Sequence, residues 1–172
     1  AGLVFPLAAA YSKTSGFSGT PTFDASAWIR NSSPGEWAAA QWLRDLAPPD
    51  AVILEAVGDS YQSDRSRVST LSGRATIMGW IGHERQWRGA DYAQMTAGRE
   101  GAAEQIYRFA TPSEISELVK SWGIDYVVVG PAERNVYAIS PLEEERFAGI
   151  MDLVLDQDGV RLYATRRNLS TE

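Results

Sequence analysis

The sequence predicts an α/β domain, three-layer-like, with a mostly parallel central sheet, flanking helices and a C-terminal β-hairpin. Three observations predict it. Helix-start signatures recur as Ser33-Pro34-Gly35-Glu36, Thr111-Pro112-Ser113-Glu114 and Ser140-Pro141-Leu142-Glu143, each with a capping hydroxyl, a proline for the first helical position and a glutamate able to reach back to the cap. The first two lead through a short break into apolar β-branched runs, AVILEAVG (51–58) and IDYVVVG (124–130). Because these runs do not alternate, they read as strands covered on both faces. Near the end, LVLDQDGVRLYAT alternates around Asp158-Gly159, a hairpin turn signal.

Taken in order, the chain opens with AGLVFPLAAAY, whose apolar run is far shorter than the ~20 residues of a membrane-spanning helix. It also lacks the basic start of a signal peptide, so two accounts fit: an upstream part removed near the end of something apolar, or an ordinary domain whose first methionine was processed away. Residues 12–33 are rich in Ser, Thr and Gly with scattered Phe23, Trp28 and Ile29, which predicts an irregular segment pinned by its aromatics. Trp37, Ala40, Leu43 and Leu46 then recur at helical spacing. A strand over 51–58 follows, then one from Ala75 to Trp80, a helix from Ala97 to Arg108, a helix from Pro112, the strand in 124–130, a helix from Pro141 and the hairpin. Helix followed by buried strand, repeated, indicates a parallel sheet. The organisation expected is an irregular segment over 1–32, an α/β domain over 33–165 and a frayed polar tail over 166–172.

At 172 residues and 44% hydrophobic, the chain suits one domain with a core. With 16 basic residues against 22 acidic ones, it offers no general attraction to phosphate backbones, which argues against nucleic acid as a partner. The absence of cysteine excludes disulfides, thiolate metal ligands and a cysteine nucleophile.

Open parallel sheets gather ligands beyond the carboxyl ends of their strands, and that rule selects three loops. They are Gly58-Asp59-Ser60-Tyr61, the stretch GWIGHERQWRG (79–89), and Gly130-Pro131-Ala132-Glu133-Arg134. The middle one holds the only histidine and two of the six tryptophans. HERQW carries Trp87 where the second histidine of a zincin helix must stand. With one histidine and no cysteine, a zinc site has too few ligands, and calcium or magnesium at Glu55, Asp59 or Glu84 has no ligand spacing behind it. No metal is therefore assigned. Ser60 lies outside a G-x-S-x-G elbow, so a hydrolase would have to recruit His83 from another loop. VGDSYQ lacks the later glycines of a dinucleotide fingerprint, and no cofactor is expected. A polar, aromatic binding surface fits better: Tyr61, Trp80 and Trp87 offer flat apolar faces, while His83, Glu84, Arg85 and Arg88 offer directional hydrogen bonds suited to sugars or an anionic head group. The competing structural reading makes Trp80 and Trp87 core residues and pairs Arg88 with Glu84 at helical spacing. Arg65, Arg67 and Arg74 beside Asp64 read as a solvated surface.

In this order and spacing, EAVGDSY, RVSTLSG, GWIGHERQWRG and YVVVGPAERNVY resemble the C-terminal soluble part of the "YYY" family of polytopic membrane proteins, distant relatives of the GT-C glycosyltransferases. The resemblance runs from about Phe23 to Tyr163. It places Glu55, Gly58, Ser60 and Tyr61 in the family's first motif and Arg67 in the stretch that follows. Gly79, Trp80, Gly82, His83, Glu84, Trp87, Arg88 and Gly89 fall in the central motif, and Gly130, Glu133, Arg134 and Tyr137 in the last. Ile81 and Arg74-Ala75 depart from the family, which commonly has proline at the first and Leu-Pro at the second.

What the resemblance implies is an extracytoplasmic domain at the cell membrane, following a transmembrane bundle that holds a lipid-linked sugar donor, and not catalytic alone. Its partners would be that bundle and a lipid-linked sugar or glycan acceptor. Substrate contacts are then expected from Glu55, Asp59, Ser60, Tyr61, Arg67, Trp80, His83, Glu84, Trp87, Arg88, Glu133, Arg134 and Tyr137. The alternative is a non-catalytic interaction module, which predicts an exposed apolar patch without a concave polar pocket.

Overall fold

The computed structural model of the protein describes residues 4–19 and 23–166, so the expectation of a frayed tail falls, beyond Arg166, outside the described residues. Two compact units are present, Ala1–Ser32 and Ser33–Glu172. The first contains α1 (Val4–Lys13) and α2 (Ala27–Ser32), in the segment where little regular structure was expected. Asp24 organises the start of α2: its Oδ1 accepts from the Ser26 amide at 2.9 Å and its carboxylate pairs with Arg30. Hydrogen bonds from the Ser26 hydroxyl first, then from Arg30 and the Ser26 amide, hold its carboxyl down at about 2. No helix among the described residues is long and apolar enough to cross a membrane.

The second unit runs α3 (Pro34–Leu46), β1 (Val52–Leu54), α4 (Arg67–Ser72), β2 (Ala75–Thr76), α5 (Ile81–Arg88), α6 (Tyr92–Met95), α7 (Arg99–Glu104), α8 (Pro112–Ser121), β3 (Tyr126–Val129), α9 (Pro131–Tyr137), α10 (Pro141–Ala148), β4 (Asp152–Gln157) and β5 (Val160–Ala164). A π-helical turn, Gln105–Phe109, extends α7. The five strands lie in the order β2-β1-β3-β5-β4. β1 pairs in parallel with β2 and β3, and β5 pairs antiparallel with both β3 and β4. β4 therefore points the same way as β1, β2 and β3, and the sheet is mostly parallel with one returning strand. The strands are shorter than the apolar runs that announced them, because residues 55–58 leave the ladder to build a loop. The second strand keeps only Ala75 and Thr76 of the expected span, although Gly58 and Trp80 meet again as an isolated parallel bridge.

Both faces of the sheet are covered, which is why its central strands do not alternate. Ile53, Tyr126, Val128 and Leu162 pack with Ala39, Ala40 and Leu43 of α3 and Val68 of α4. Leu54, Val127, Val129 and Tyr163 pack on the other side with Ile106, Tyr107, Ile115, Val119 and Phe147. Each fully buried aliphatic side chain contributes about 1.5–3 kcal/mol, so the two faces jointly fix the strand register.

The capping boxes at Thr111/Glu114 and Ser140/Glu143 form as the sequence indicates. The one at Ser33/Glu36 does not: Ser33 makes no side-chain cap. Instead its Oγ accepts from Arg67 Nη1 at 2.9 Å, and Glu36 pairs with the same guanidinium. A charged donor outcompetes a backbone amide for both acceptors. Gly35 is required here by close approach, since an added Cβ would lie 2.6 Å from Gln157 O and 2.9 Å from Asp158 O in the hairpin turn. Gly35→Ala is expected to destabilise the unit by about 3 kcal/mol through this overlap with backbone, measured by urea unfolding; a loss below about 1 kcal/mol would show that the hairpin yields without cost.

Candidate functional site

At the carboxyl edge of the parallel strands, buried carboxylates occupy the places where a ligand would meet backbone amides. Glu55, the residue after β1, accepts from Val68 N at 3.0 Å and Ser69 N at 3.1 Å, and so caps α4. Glu133, in the first turn of α9, accepts from Ala56 N at 2.7 Å and Gly130 N at 2.8 Å, joining the end of β1 to the end of β3. Both are almost completely buried, at 2% and 4% exposure. Burial pushes the Glu55 carboxyl up to about 7, and burial likewise raises that of Glu133. The amide-lined positions that bind anions in open α/β sheets are thus filled by the chain itself.

The other residues of the outer motifs are fastened in the same way. The Tyr137 hydroxyl accepts from Val57 N at 3.2 Å, its ring stacks on Tyr107 with centroids 4.6 Å apart, and burial pushes its hydroxyl up to about 12. Arg134 reaches Glu144 with Nη2 at 3.0 Å and Nε at 3.2 Å and donates to Gly159 O, locking α9 to α10 and the hairpin. Arg67 is nearly enclosed with Glu36, Arg65 pairs with Asp64, and Arg74 Nη2 closes the end of α3 through Ala47 O at 2.8 Å. The three arginines are therefore structural, which corrects the reading of a solvated surface. Of the residues expected among substrate contacts, Glu55, Arg67, Glu133 and Tyr137 have their polar groups bonded within the loops, and Arg134, 30% exposed, is held by Glu144.

The stretch GWIGHERQWRG forms a helix, α5, where a loop was expected. Its glycines lie at both ends and at a close approach: an added Cβ on Gly82 would come 2.1 Å from Ser60 Oγ, so the 58–61 loop rests directly on the helix. His83 and Trp87 stand one turn apart, and the rings of Tyr61, Trp80, His83 and Trp87 make a contiguous row. Centroid separations are 5.5 Å for Tyr61–His83, 5.0 Å for Trp80–His83 and 5.3 Å for His83–Trp87. Trp87 is 75% exposed and Tyr61 83% exposed, so neither is a core residue, while Trp80 is half-buried with Nε1 donating to Arg65 O at 3.2 Å. Tyr61 holds φ +66°, a strained position for a bulky side chain, and such strain gathers at working surfaces. Glu84 and Arg88 form the helical pair anticipated from their spacing.

Asp59 accepts from the Ser60 amide at 2.8 Å, bracing the same loop. Among the described residues no hydrogen bond joins Ser60 to His83, the pairing a serine hydrolase at these loops would use. Also among the described residues, no group of three or more His, Asp or Glu side chains could hold a metal ion.

Below the row of rings lies a cavity of ≈ 370 Å³, bounded by Ser66, Thr76, Gly79, Trp80, Glu84 and Trp87 among others. A second hollow of ≈ 470 Å³, lined by Glu84, Trp87, Arg88, Asp91 and Met95, shares Glu84 and Trp87 with it. Ser66 Oγ and Thr76 Oγ1 are shut from solvent without a hydrogen-bond partner, and Ser66 sits at φ +54°. Neither residue stands out in the sequence, because a lone hydroxyl in a Ser/Thr-rich stretch carries no spacing signal. A further cavity of ≈ 340 Å³, with Val119, Ile124, Ile150 and Met151 in its wall, lies at the opposite, amino edge of the sheet.

No protein-family model and no curated protein matches the chain. Among solved structures, it is similar to the C-terminal globular domain of an oligosaccharyltransferase from Archaeoglobus fulgidus, at 12% identity, over 76% of this chain and 97% of that one, with a TM-score of 0.44.

Proposed function

We propose that this chain is the extracytoplasmic C-terminal domain of a "YYY"-type, GT-C-like membrane glycosyltransferase that uses a lipid-linked sugar donor. In this reading it supplies part of the substrate cavity and is not catalytic alone; its partners are the transmembrane bundle and the sugar substrate. The observation that carries the proposal is the contiguous row of Tyr61, Trp80, His83 and Trp87 beside a cavity whose wall contains the Glu84 carboxylate. Flat rings receive the C–H faces of a sugar, and fixed polar groups read its hydroxyls. The four motifs whose order and spacing resemble that family lend independent support.

The alternative, a non-catalytic module docking on the bundle or a partner, draws on the exposure of Tyr61 and Trp87; the polar cavity beside them weighs against it. The experiment is sugar transfer by the full-length protein in membranes. Trp87→Ala and His83→Ala are expected to lower transfer about tenfold each, equivalent to ~1.4 kcal/mol of lost stacking, while the fold of the domain is kept. Wild-type transfer by both variants overturns the cavity reading.

A further inference from the structure

Building on the sugar-cavity reading above, we infer that the cavity beside α5 binds a neutral sugar ring through its hydroxyls, and does not bind the phosphate of a donor head group. Charge is the first ground. Among the described residues, the wall of this cavity contains the Glu84 carboxylate and neither lysine nor arginine. The nearest guanidinium, that of Arg88, is paired with Glu84 itself and reaches Met95 Sδ at 3.6 Å. Arg65 is turned to Asp64 and Arg67 to Glu36. The amides opening α4, adjacent to Ser66, are already taken by Glu55. A phosphate entering here would meet a carboxylate whose one neighbouring guanidinium, that of Arg88, is already committed to it, and would find no free cation in the wall, an arrangement that does not favour an anion.

Hydrogen-bonding chemistry is the second ground. A carboxylate accepts from several hydroxyls at once, which matches the donors a sugar presents. A Cβ added to Gly79 would lie 3.7 Å from Glu84 Oε1, so the glycine leaves open the space beside that carboxylate, whose side chain is still 19% exposed. The cavity, at ≈ 370 Å³, falls within the ~300–1,000 Å³ typical of small-molecule sites. Trp87 and His83 at its mouth give the ring an apolar face to lie on.

The test is an NMR titration of the 172-residue chain, following the Trp80 and Trp87 indole N–H signals. The probes are mannotriose and N,N′-diacetylchitobiose as neutral glycans, and mannose with mannose 1-phosphate as a matched neutral and charged pair. At least one neutral glycan is expected to shift both indole signals, with an affinity insensitive to added salt. Mannose 1-phosphate is expected to bind no better than mannose. Glu84→Gln is expected to weaken glycan binding by roughly fivefold, the size of a lost charge-assisted hydrogen bond, with the indole signals of the free domain otherwise unchanged. Tighter binding of mannose 1-phosphate than mannose, weakening with salt, overturns this inference and leaves the sugar-cavity reading standing. Undiminished glycan binding by Glu84→Gln also overturns it. If no probe moves either indole, the sugar-cavity reading fails and this inference fails with it.

Discussion

Glu133→Ala is expected to lower the stability of the domain by about 3–5 kcal/mol, a large share of the ~5–15 kcal/mol that a domain of this size possesses. The carboxylate is enclosed and bonded to two backbone amides, Ala56 N at 2.7 Å and Gly130 N at 2.8 Å. Ala56 is itself 1% exposed, so truncation leaves a buried donor with no water to replace the lost oxygen. The two amides belong to the segments leaving β1 and β3, and the Val57 N–Tyr137 hydroxyl bond is the other tie from the first of these segments to α9. Glu133→Gln keeps the shape and one acceptor but turns an N–H toward an amide donor, so a smaller loss, roughly 1–3 kcal/mol, is expected. Urea unfolding of both variants checks the order. A loss below about 1 kcal/mol for Glu133→Ala would mean that the loops are held by packing alone. Because the strand-end loops carry Tyr61, Glu133 is a positioning residue for the aromatic row, although its own side chain never reaches it.

That role illustrates what the sequence could and could not reveal. Capping boxes at Thr111 and Ser140, the doubly covered strands and the Asp158-Gly159 hairpin are local devices, each encoded within a few consecutive residues, and they appear where the pattern put them. Individual roles were less legible, because Glu133 acts on an amide 77 positions away and Arg67 on Glu36 31 positions away. A charged residue in a loop motif reads as surface chemistry until burial reverses it. The helices α4, α5 and α9 were missed for local reasons. α4 begins after Ser66 in a left-handed conformation, α5 is flanked by glycines, and the N-cap of α9 is Gly130, which has no side chain to announce it. The hydroxyls of Ser66 and Thr76 were invisible for the opposite reason: what distinguishes them is a missing partner, and absence of a partner is a property of packing.

Glu55→Gln is expected to remove a pH dependence that the wild-type domain carries. Burial lifts the Glu55 carboxyl from its ordinary 4.5 to about 7; the charge of Glu133 adds to the rise, and hydrogen bonds from Ser69 and Val68 oppose it. The unfolded chain therefore releases this proton near 4.5 while the folded chain holds it to about 7. Over that window the folded state binds more protons, so stability falls as pH rises. The contribution is complete below 4.5 and is lost as pH passes about 7, a change of roughly 3 kcal/mol for this fully enclosed group. Of the other carboxylates, Glu114 and Glu143 are held below the usual range by hydrogen bonds from Thr111 and Ser140 and cancel in the difference, being present in both proteins; Glu133, raised by burial, shares charge repulsion with Glu55, and Glu55→Gln removes that shared part as well. Urea unfolding across this range should show wild type losing ground to Glu55→Gln by roughly 3 kcal/mol as pH rises. A pH-independent difference would mean that the bonds from Val68 and Ser69 keep Glu55 charged throughout. The α4 cap would then be a permanent anion on the helix start, and the cavity floor at Ser66 would be indifferent to pH.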